Sequence, residues 1–497
     1  MNKIHPVLAF GLPKLRDILF VGVLFGLVVM GGPKIINADG DLGRHITIGN
    51  HILDSGSIPV KDIFSHTLYG EKLVPHEWLA DVAFALAHRV MGLSGDLLLA
   101  ALVIAMTVLL MYEEMIKRGV MRLNALVVTM WLISISAVHW LVRPHIFTFL
   151  FVALWTYRLE TIYKGESKNI GWFALVMLMW VNTHGAYIAG FVIWGTYFAD
   201  WLLEFWQGRG TKEMGARLGA IGGASLLATF INPSGWHIWE TSVGYLGNDF
   251  LTQVTVEYMS PNFHDRGMWL FMFMIAFGLF SLVQDRRLQV REGLLFAGWT
   301  IMSLYSIRNF PLFAVVNAPI IGGLVQSWLG KVSWLVKRNA GVDAVESKLR
   351  GHLWAILAFV SIGALLWNQV PLDLNRRGNI YLPEKMPVEA VDWLTANPQE
   401  GKMFNHFVWG GYLLYRTWPN ELVFIDGQTD FYGEPLTREY LTVVNGADGW
   451  QSILDEYEVE WMLLRGDDPL AVKLSAVEDD GWLLIYEDDL AVIFRRD

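Results

Sequence analysis

The chain of 497 residues contains no cysteine. Disulfide bridges, thiolate-bound zinc and thiol catalysis are therefore excluded. Charge is scarce as well. Asp, Glu, Lys and Arg make up 17% of the residues, against about 25% in soluble domains. No basic run or stripe occurs and the net charge is −10, so no nucleic-acid partner is expected. No repeat or low-complexity segment stands out. What the chain has instead is 54% hydrophobic residues, with 23 Trp and 28 Phe. That balance predicts a mainly α, multi-span membrane protein. The opening MNKIHPVLAFGLPKLRDILFVGVLFGLVVMGG has basic flanks and an apolar centre. No small-residue cleavage pattern follows it, so it is expected to be a retained first span and not a signal peptide.

A span needs roughly 17 to 25 mostly apolar residues. Eleven segments qualify: about 15–32, 96–113, 122–140, 145–162, 170–184, 186–206, 217–231, 268–284, 290–306, 311–329 and 352–369. Asn182, His184 and Gly185 interrupt one long apolar run and divide the fifth segment from the sixth. The positive-inside rule fixes orientation. With the N-terminus in the cytoplasm, each inner segment carries at least three Lys or Arg, including Lys3, Arg286 and Arg287, while the short outer loops carry one or none. An odd number of spans places the C-terminus outside. The expected organisation is a polytopic region, 1–369, with a long first outer loop at 33–95, followed by a small extracytoplasmic α/β domain at 370–497. In that domain EAVDWLTAN has helical periodicity, whereas LVFID, WMLL and AVIFRR read as short strands. The expected location is a bacterial inner membrane.

The unusual polar residues then fall on the outer side. Asp39, Asp41, Arg44 and His45 follow the first span; His76 and Glu77 lie in the same loop. Arg143 and His145 sit in the turn after span three, and Asn182 and His184 end span five. Glu257 lies after span seven; Arg308 and Asn309 join spans nine and ten. Ionisable and amide groups at span ends are costly beside hydrocarbon and usually line a wet cavity. Plainer readings stand beside this one. Arg143 and Arg308 could be end anchors, Asn182 and His184 could cap helix ends, and His76–Glu77 could open a helix. Asp39 and Asp41 resist such a reading, because two neighbouring carboxylates repel unless a cation or proton lies between them.

A carboxylate at a membrane–water boundary can take a proton from a hydroxyl or hold a divalent cation. Arginines facing the same cavity suit a phosphate. Outside the cell no nucleotide-activated donor is supplied, so a donor there is expected to be attached to a membrane lipid. The combination predicts sugar transfer from a polyprenyl-phosphate donor. A transporter would place its polar groups near mid-bilayer and show inverted repeats. A non-catalytic scaffold subunit also remains open, because fold does not fix function.

The motifs resemble those of the GT-C superfamily, which includes protein O-mannosyltransferases, the aminoarabinose transferase of lipid A and oligosaccharyltransferase catalytic subunits. DGDLGRH occupies the position of the acidic motif that opens the first outer loop in that family, and ITIGNHILDSGSIPVKDIFSH is similar to the stretch that follows it. More narrowly, Asp39–His45, His76–Ala80, Arg143–His145, Trp409–Leu413 and Asp426–Gly433 resemble motifs of a group of uncharacterised bacterial GT-C-like proteins. The resemblance implies that Asp41 or Asp39 is the catalytic carboxylate. It implies that Arg44, His45, His76, Glu77, Arg143, His145, Asn182, His184, Glu257, Arg308 and Asn309 bind substrate. A divalent cation, Mg2+ or Mn2+, if used, would be held by Asp39, Asp41 and Glu257. Two features depart from oligosaccharyltransferases: RPH stands where their second acidic pair would be, and their acceptor-recognition motif is missing. Asp426 and Asp430 could bind an acceptor glycan or cap turns, and Gly410–Gly411 could admit a ligand or bend a small core; none of these joins the catalytic set.

Overall fold

Long apolar runs become helices because a backbone away from water must satisfy its polar groups internally. The computed structural model describes residues 5–38, 40–284, 289–476 and 481–497. Asp39, Lys3, Arg286 and Arg287 lie outside the described residues. In chain order the first helices are α1 (Leu15–Gly26), α2 (Asp41–Ser55), α3 (Trp78–Met91), α4 (Leu93–Lys117), α5 (Arg122–Ser136) and α6 (His145–Tyr163). They are followed by α7 (Gly171–Val181), α8 (Ile188–Trp206), α9 (Lys212–Ala228), α10 (Trp269–Gln284), α11 (Val290–Tyr305), α12 (Phe310–Leu329) and α13 (Leu353–Trp367).

Five helical stretches among the described residues are long and apolar enough to cross a membrane: Leu93–Lys117, Arg122–His139, Gly185–Trp206, Arg266–Gln284 and Ile307–Leu329. The chain is a multi-pass membrane protein. Helices overlie the other expected spans, but they are shorter or more polar, α7 and α13 being short apolar ones, so the count of eleven is not confirmed. α12 is the central element. Its residues are mostly buried, and it packs against α4, α5, α6 and α11. Pro311 sits in its first turn, where a missing N–H costs nothing. α1 packs against α4 and α13.

The last part of the chain adds α14 (Val388–Ala396), β1 (Lys402–Asn405), α15 (Gly410–Thr417), α16 (Thr429–Val444), α17 (Trp450–Glu456), β2 (Val459–Arg465), α18 (Pro469–Ala476), β3 (Trp482–Glu487) and β4 (Ala491–Arg496). The four strands form one sheet in the order β1-β2-β4-β3. β1 runs parallel to β2, and the other two pairs are antiparallel. Strand side chains alternate between faces. Met403, Trp461, Leu463 and Ile493 join the core that continues into the helical region. Their neighbours Phe404, Met462, Leu464 and Phe494 form a second core with α16, α17 and α18. WMLL and AVIFRR are strands as expected, but LVFID is not. Val423 makes only an isolated bridge, to Ser65 of the first loop, and the segment runs on into a loop whose first residue is Asp426.

That sheet-bearing segment is locked onto the first loop by glycines. α15 crosses α2 so closely that a Cβ on Gly43 would lie 2.3 Å from the Gly411 carbonyl oxygen, and one on Gly411 would lie 2.3 Å from that of Gly40. Gly411 therefore serves helix-on-helix contact, and Gly410 a close approach to the Ile425–Asp426 main chain (2.3 Å from the Ile425 carbonyl oxygen for a Cβ there). Asn37 adds two hydrogen bonds across the same junction: its side chain donates to the Ile380 carbonyl (2.9 Å) and accepts from the Leu382 N–H (2.8 Å).

Candidate functional site

Asp41 opens α2, where a carboxylate is favoured by the orphan N–H groups and dipole of the helix N-terminus. It is buried at 7% exposure. Its Oδ2 lies 2.5 Å from Nη2 of Arg143. Arg143 occupies the turn between α5 and α6, where the Val142 N–H donates to the Ile35 carbonyl (3.4 Å) and the Ile146 N–H to the Arg143 carbonyl (3.2 Å). Through Nη1 the same guanidinium donates to Oε1 of Glu257 at 2.8 Å. Arg143 thus bridges carboxylates that are far apart in the chain.

Arg308 completes this half of the site. Its Nη1 lies 4.0 Å from Glu257 Oε2 and donates to the Tyr258 hydroxyl at 2.8 Å. The Ser306 hydroxyl donates to the Glu257 carbonyl (2.9 Å), which ties the two loops together. His184 Nε2 is 3.5 Å from Arg308 and 3.9 Å from Glu77. Its Nδ1 pairs with Thr148, which in turn accepts from the Trp180 indole at 2.8 Å. Burial alone would raise the Glu257 pKa, but Arg143, Arg308 and His139 outweigh it and hold the carboxylate below its ordinary range.

The other half is built on Arg44, one turn into α2. It is 5% exposed and contacts Glu77 (3.3 Å), Gln428 (3.3 Å) and His45 Nε2 (3.4 Å). Burial opposes its charge, yet Asp426, Glu77, Asp41 and Asp81 together hold its pKa above the ordinary arginine value. His45 must accept at Nε2 from Arg44, which assigns its proton to Nδ1, facing Asp81 Oδ1 at 2.6 Å. Complete burial, with Arg44 and Arg143 near, pushes the His45 pKa well down, so the ring is a neutral orienting partner. Glu77 stands just before α3, its side chain turned to Arg44 and making no cap bond to the helix, and His76 lies 4.0 Å from Glu77 and 3.8 Å from Asp430.

The structure therefore brings together Asp41, Arg44, His45, His76, Glu77, Arg143, His184, Glu257 and Arg308. Three expected residues stand apart. Asn309 turns back to donate to the Met302 carbonyl (3.0 Å). Asn182 is saturated by the Leu178 and Ile231 carbonyls and the Trp78 indole. His145 donates to the His139 carbonyl (3.0 Å), a layer behind the carboxylates. Asn182 does line an apolar groove of about 520 Å³, with Trp78, Leu178, Met179 and Ile231, beside the site.

Several residues were missed. His139 Nε2 is 3.9 Å from Glu257. More telling is the loop Asp426–Asp430. A Cβ on Gly427 would lie 1.7 Å from Asp41 Oδ1, so only glycine fits against the carboxylate. Asp426 is buried, accepts from the Gln428 N–H (2.8 Å) and the Tyr432 hydroxyl (3.2 Å), and has its pKa pushed up to about 6 by burial despite Arg44. The sequence signal was a glycine between acids in FIDGQTD.

A divalent cation, if used, was expected on Asp39, Asp41 and Glu257, of which Asp39 lies outside the described residues. Asp41 and Glu257 already face the Arg143 guanidinium, and no group of three His, Asp or Glu among the described residues is arranged to hold a metal ion. The described donors do not fit a cation.

No protein-family profile matches the chain, and no curated protein does. Solved structures do. The fold is similar to the oligosaccharyltransferase of Archaeoglobus fulgidus in its apo form, with a TM-score of 0.59 at 10% identity, covering 91% of this chain and 69% of that one. It is similar also to the archaeal oligosaccharyltransferase AglB from Archaeoglobus fulgidus in complex with an inhibitory peptide and a dolichol-phosphate, with a TM-score of 0.58 at 11% identity and the same coverage. At 10–11% identity the likeness is one of fold.

Proposed function

We propose that the protein transfers a sugar from a polyprenyl-phosphate donor to an acceptor hydroxyl on the extracytoplasmic side of a bacterial inner membrane. The observation that carries this reading is the convergence of Asp41 with Arg143, Glu257 and Arg308 beside an apolar groove, in a fold shared with lipid-dependent glycosyl-transfer enzymes. Asp41 takes the acceptor proton as the acceptor oxygen attacks the anomeric carbon from the side opposite the leaving group. The bond from that carbon to the phosphate oxygen breaks, the sugar is inverted, and Arg143 and Arg308 receive the phosphate charge. The groove beside Asn182 suits the start of the polyprenyl chain. Eleven spans, an inner N-terminus and an outer α/β domain at 370–497 belong to the same proposal. The test is mass spectrometry of lipids and glycans from cells carrying wild type or Asp41→Asn. The sugar donor is expected to accumulate and its product to vanish in the variant, and normal turnover in Asp41→Asn would refute the assignment.

A second reading has two observations in its favour. The contact of Gly427 with Asp41 and the Asp41–Arg143 ion pair are also what a purely structural carboxylate would make. In that case the chain is a non-catalytic scaffold of GT-C type, and Asp41→Asn changes stability and leaves every envelope glycan untouched.

A further inference from the structure

We propose that Arg143 stands in for the divalent cation of this site, so that the site receives a phosphate ester without metal. The phosphate part rests on the glycosyl-transfer reading above; the metal part does not. Four observations support it. The two nitrogens of one planar guanidinium contact Asp41 (2.5 Å) and Glu257 (2.8 Å), joining two carboxylates as a shared cation would. The Arg143 side chain is 19% exposed, so its two ion pairs are only weakly screened by water. Among the described residues, Arg143 and Arg308 oppose Asp41 and Glu257, with Arg308 4.0 Å from the second carboxylate. Finally, the main chain of its turn is fixed by the Val142 bond to Ile35 and the Ile146 bond to Arg143, while the guanidinium itself is held by the two carboxylates.

Physical chemistry separates the two solutions. Metal affinity requires deprotonated, uncommitted carboxylates and falls when a cation lies alongside. A guanidinium stays charged at every working pH and binds phosphate oxygens two at a time. A site built on Arg143 therefore keeps its charge when chelators are present.

The experiment uses the full chain in detergent or nanodiscs and Mn2+ as probe, read by electron paramagnetic resonance. Wild type is expected to show no Mn2+ site that Asp41→Asn removes. Arg143→Ala takes the guanidinium from between Asp41 and Glu257 and is expected to take up one Mn2+ per chain where wild type takes up none, and the added Asp41→Asn removes that site. Arg143→Gln serves the same purpose if the alanine variant fails to fold, and Arg143→Lys, which keeps the charge, is expected to stay metal-free. A wild-type Mn2+ site lost in Asp41→Asn overturns the proposal, and so does an Arg143→Ala or Arg143→Gln protein that folds but binds no Mn2+. A short-chain polyprenyl phosphate in bicelles, titrated with and without EDTA, separates the two readings. Binding that survives EDTA supports both. Binding that needs Mn2+ overturns the metal-free site alone. No binding, with the Mn2+ results as expected, overturns the glycosyl-transfer reading alone.

Discussion

Two ionic networks occupy opposite ends of α6 and α11, and their contrast is instructive. One end of α6 follows Arg143, and the other carries Glu160, about 25 Å away along the helix axis. α11 begins beside Arg291 and ends before Arg308. At the Glu160 end, Arg291 donates to Glu160 (3.1 Å) and Asp200 (3.2 Å) and lies over the rings of Tyr163 and Tyr197, whose hydroxyls donate to those same carboxylates. Arg118 adds contacts to Glu114 (2.8 Å) and Glu292 (3.3 Å). Nearly every member sits on a helix and the aromatic rings close the cluster. At the Asp41 end the same residue types are held by turns and first helical turns, mixed with histidines, and drawn from segments hundreds of residues apart. The same chemistry makes a lock between helices in one place, and in the other a cluster at helix ends and turns, where the proposed site lies.

That contrast can be broken experimentally, beginning with the largest effect. Asp41→Asn is expected to lower sugar transfer by about 10³-fold or more while the melting temperature in detergent changes little. A large loss of stability with transfer intact would make the two ends alike. At the closed end the opposite holds. Arg291→Met leaves Asp200 buried without its cation, while Glu160 keeps Arg118 (3.6 Å) and Lys164 (3.3 Å), and is expected to cost about 3 kcal/mol, read as a lower melting temperature or failed extraction. An Arg291→Met protein as stable as wild type would deny the lock.

Gly427→Ala probes the junction between loop and carboxylate. A methyl 1.7 Å from Asp41 Oδ1 must displace the Asp426–Asp430 loop, at about 1–3 kcal/mol by the general cost of overpacking, with loss of transfer. An alanine variant with unchanged melting and transfer would show that the loop is free to move. The smallest effect is in pH. The Asp426 carboxyl has a pKa of about 6 in the fold, above its unfolded value, so the fold binds the proton more tightly. Its contribution to stability is present at low pH and is lost as pH rises through about 6. Relative to Asp426→Asn, wild type should lose on the order of 1 kcal/mol between about pH 5 and 7. A flat difference in melting temperature across that range would contradict the buried environment of Asp426.

Much of the site was legible because hydrocarbon makes polar residues conspicuous. Asp41, Arg143, Glu257 and Arg308 each interrupt or flank an apolar run, and all four meet. Asn182 and Asn309 satisfied the same criterion and do not join them: an amide at a helix end is as readily satisfied by free carbonyls, and only geometry distinguishes the cases. Asp426 was weighed only as an acceptor contact or turn cap, and Gly427 and Gln428 not at all, for the converse reason. They lie in a mixed polar segment where an Asp-Gly pair is ordinary turn chemistry, and nothing local says that the turn touches residue 41. LVFID looked like a strand because alternation of apolar residues is the same for a strand and for a loop buried on both sides.

Composition and apolar periodicity determined by themselves that this chain enters a membrane as helices with its unusual charges at helix ends, because the cost of burying backbone and charge in hydrocarbon is a local property of each segment. Only the tertiary structure decided which of those charges face one another, that Arg143 links Asp41 to Glu257, and that a glycine from the far end of the chain closes over the carboxylate. Those pairings depend on how α2, α6 and α15 cross, and crossing geometry is set by packing among residues far apart in sequence.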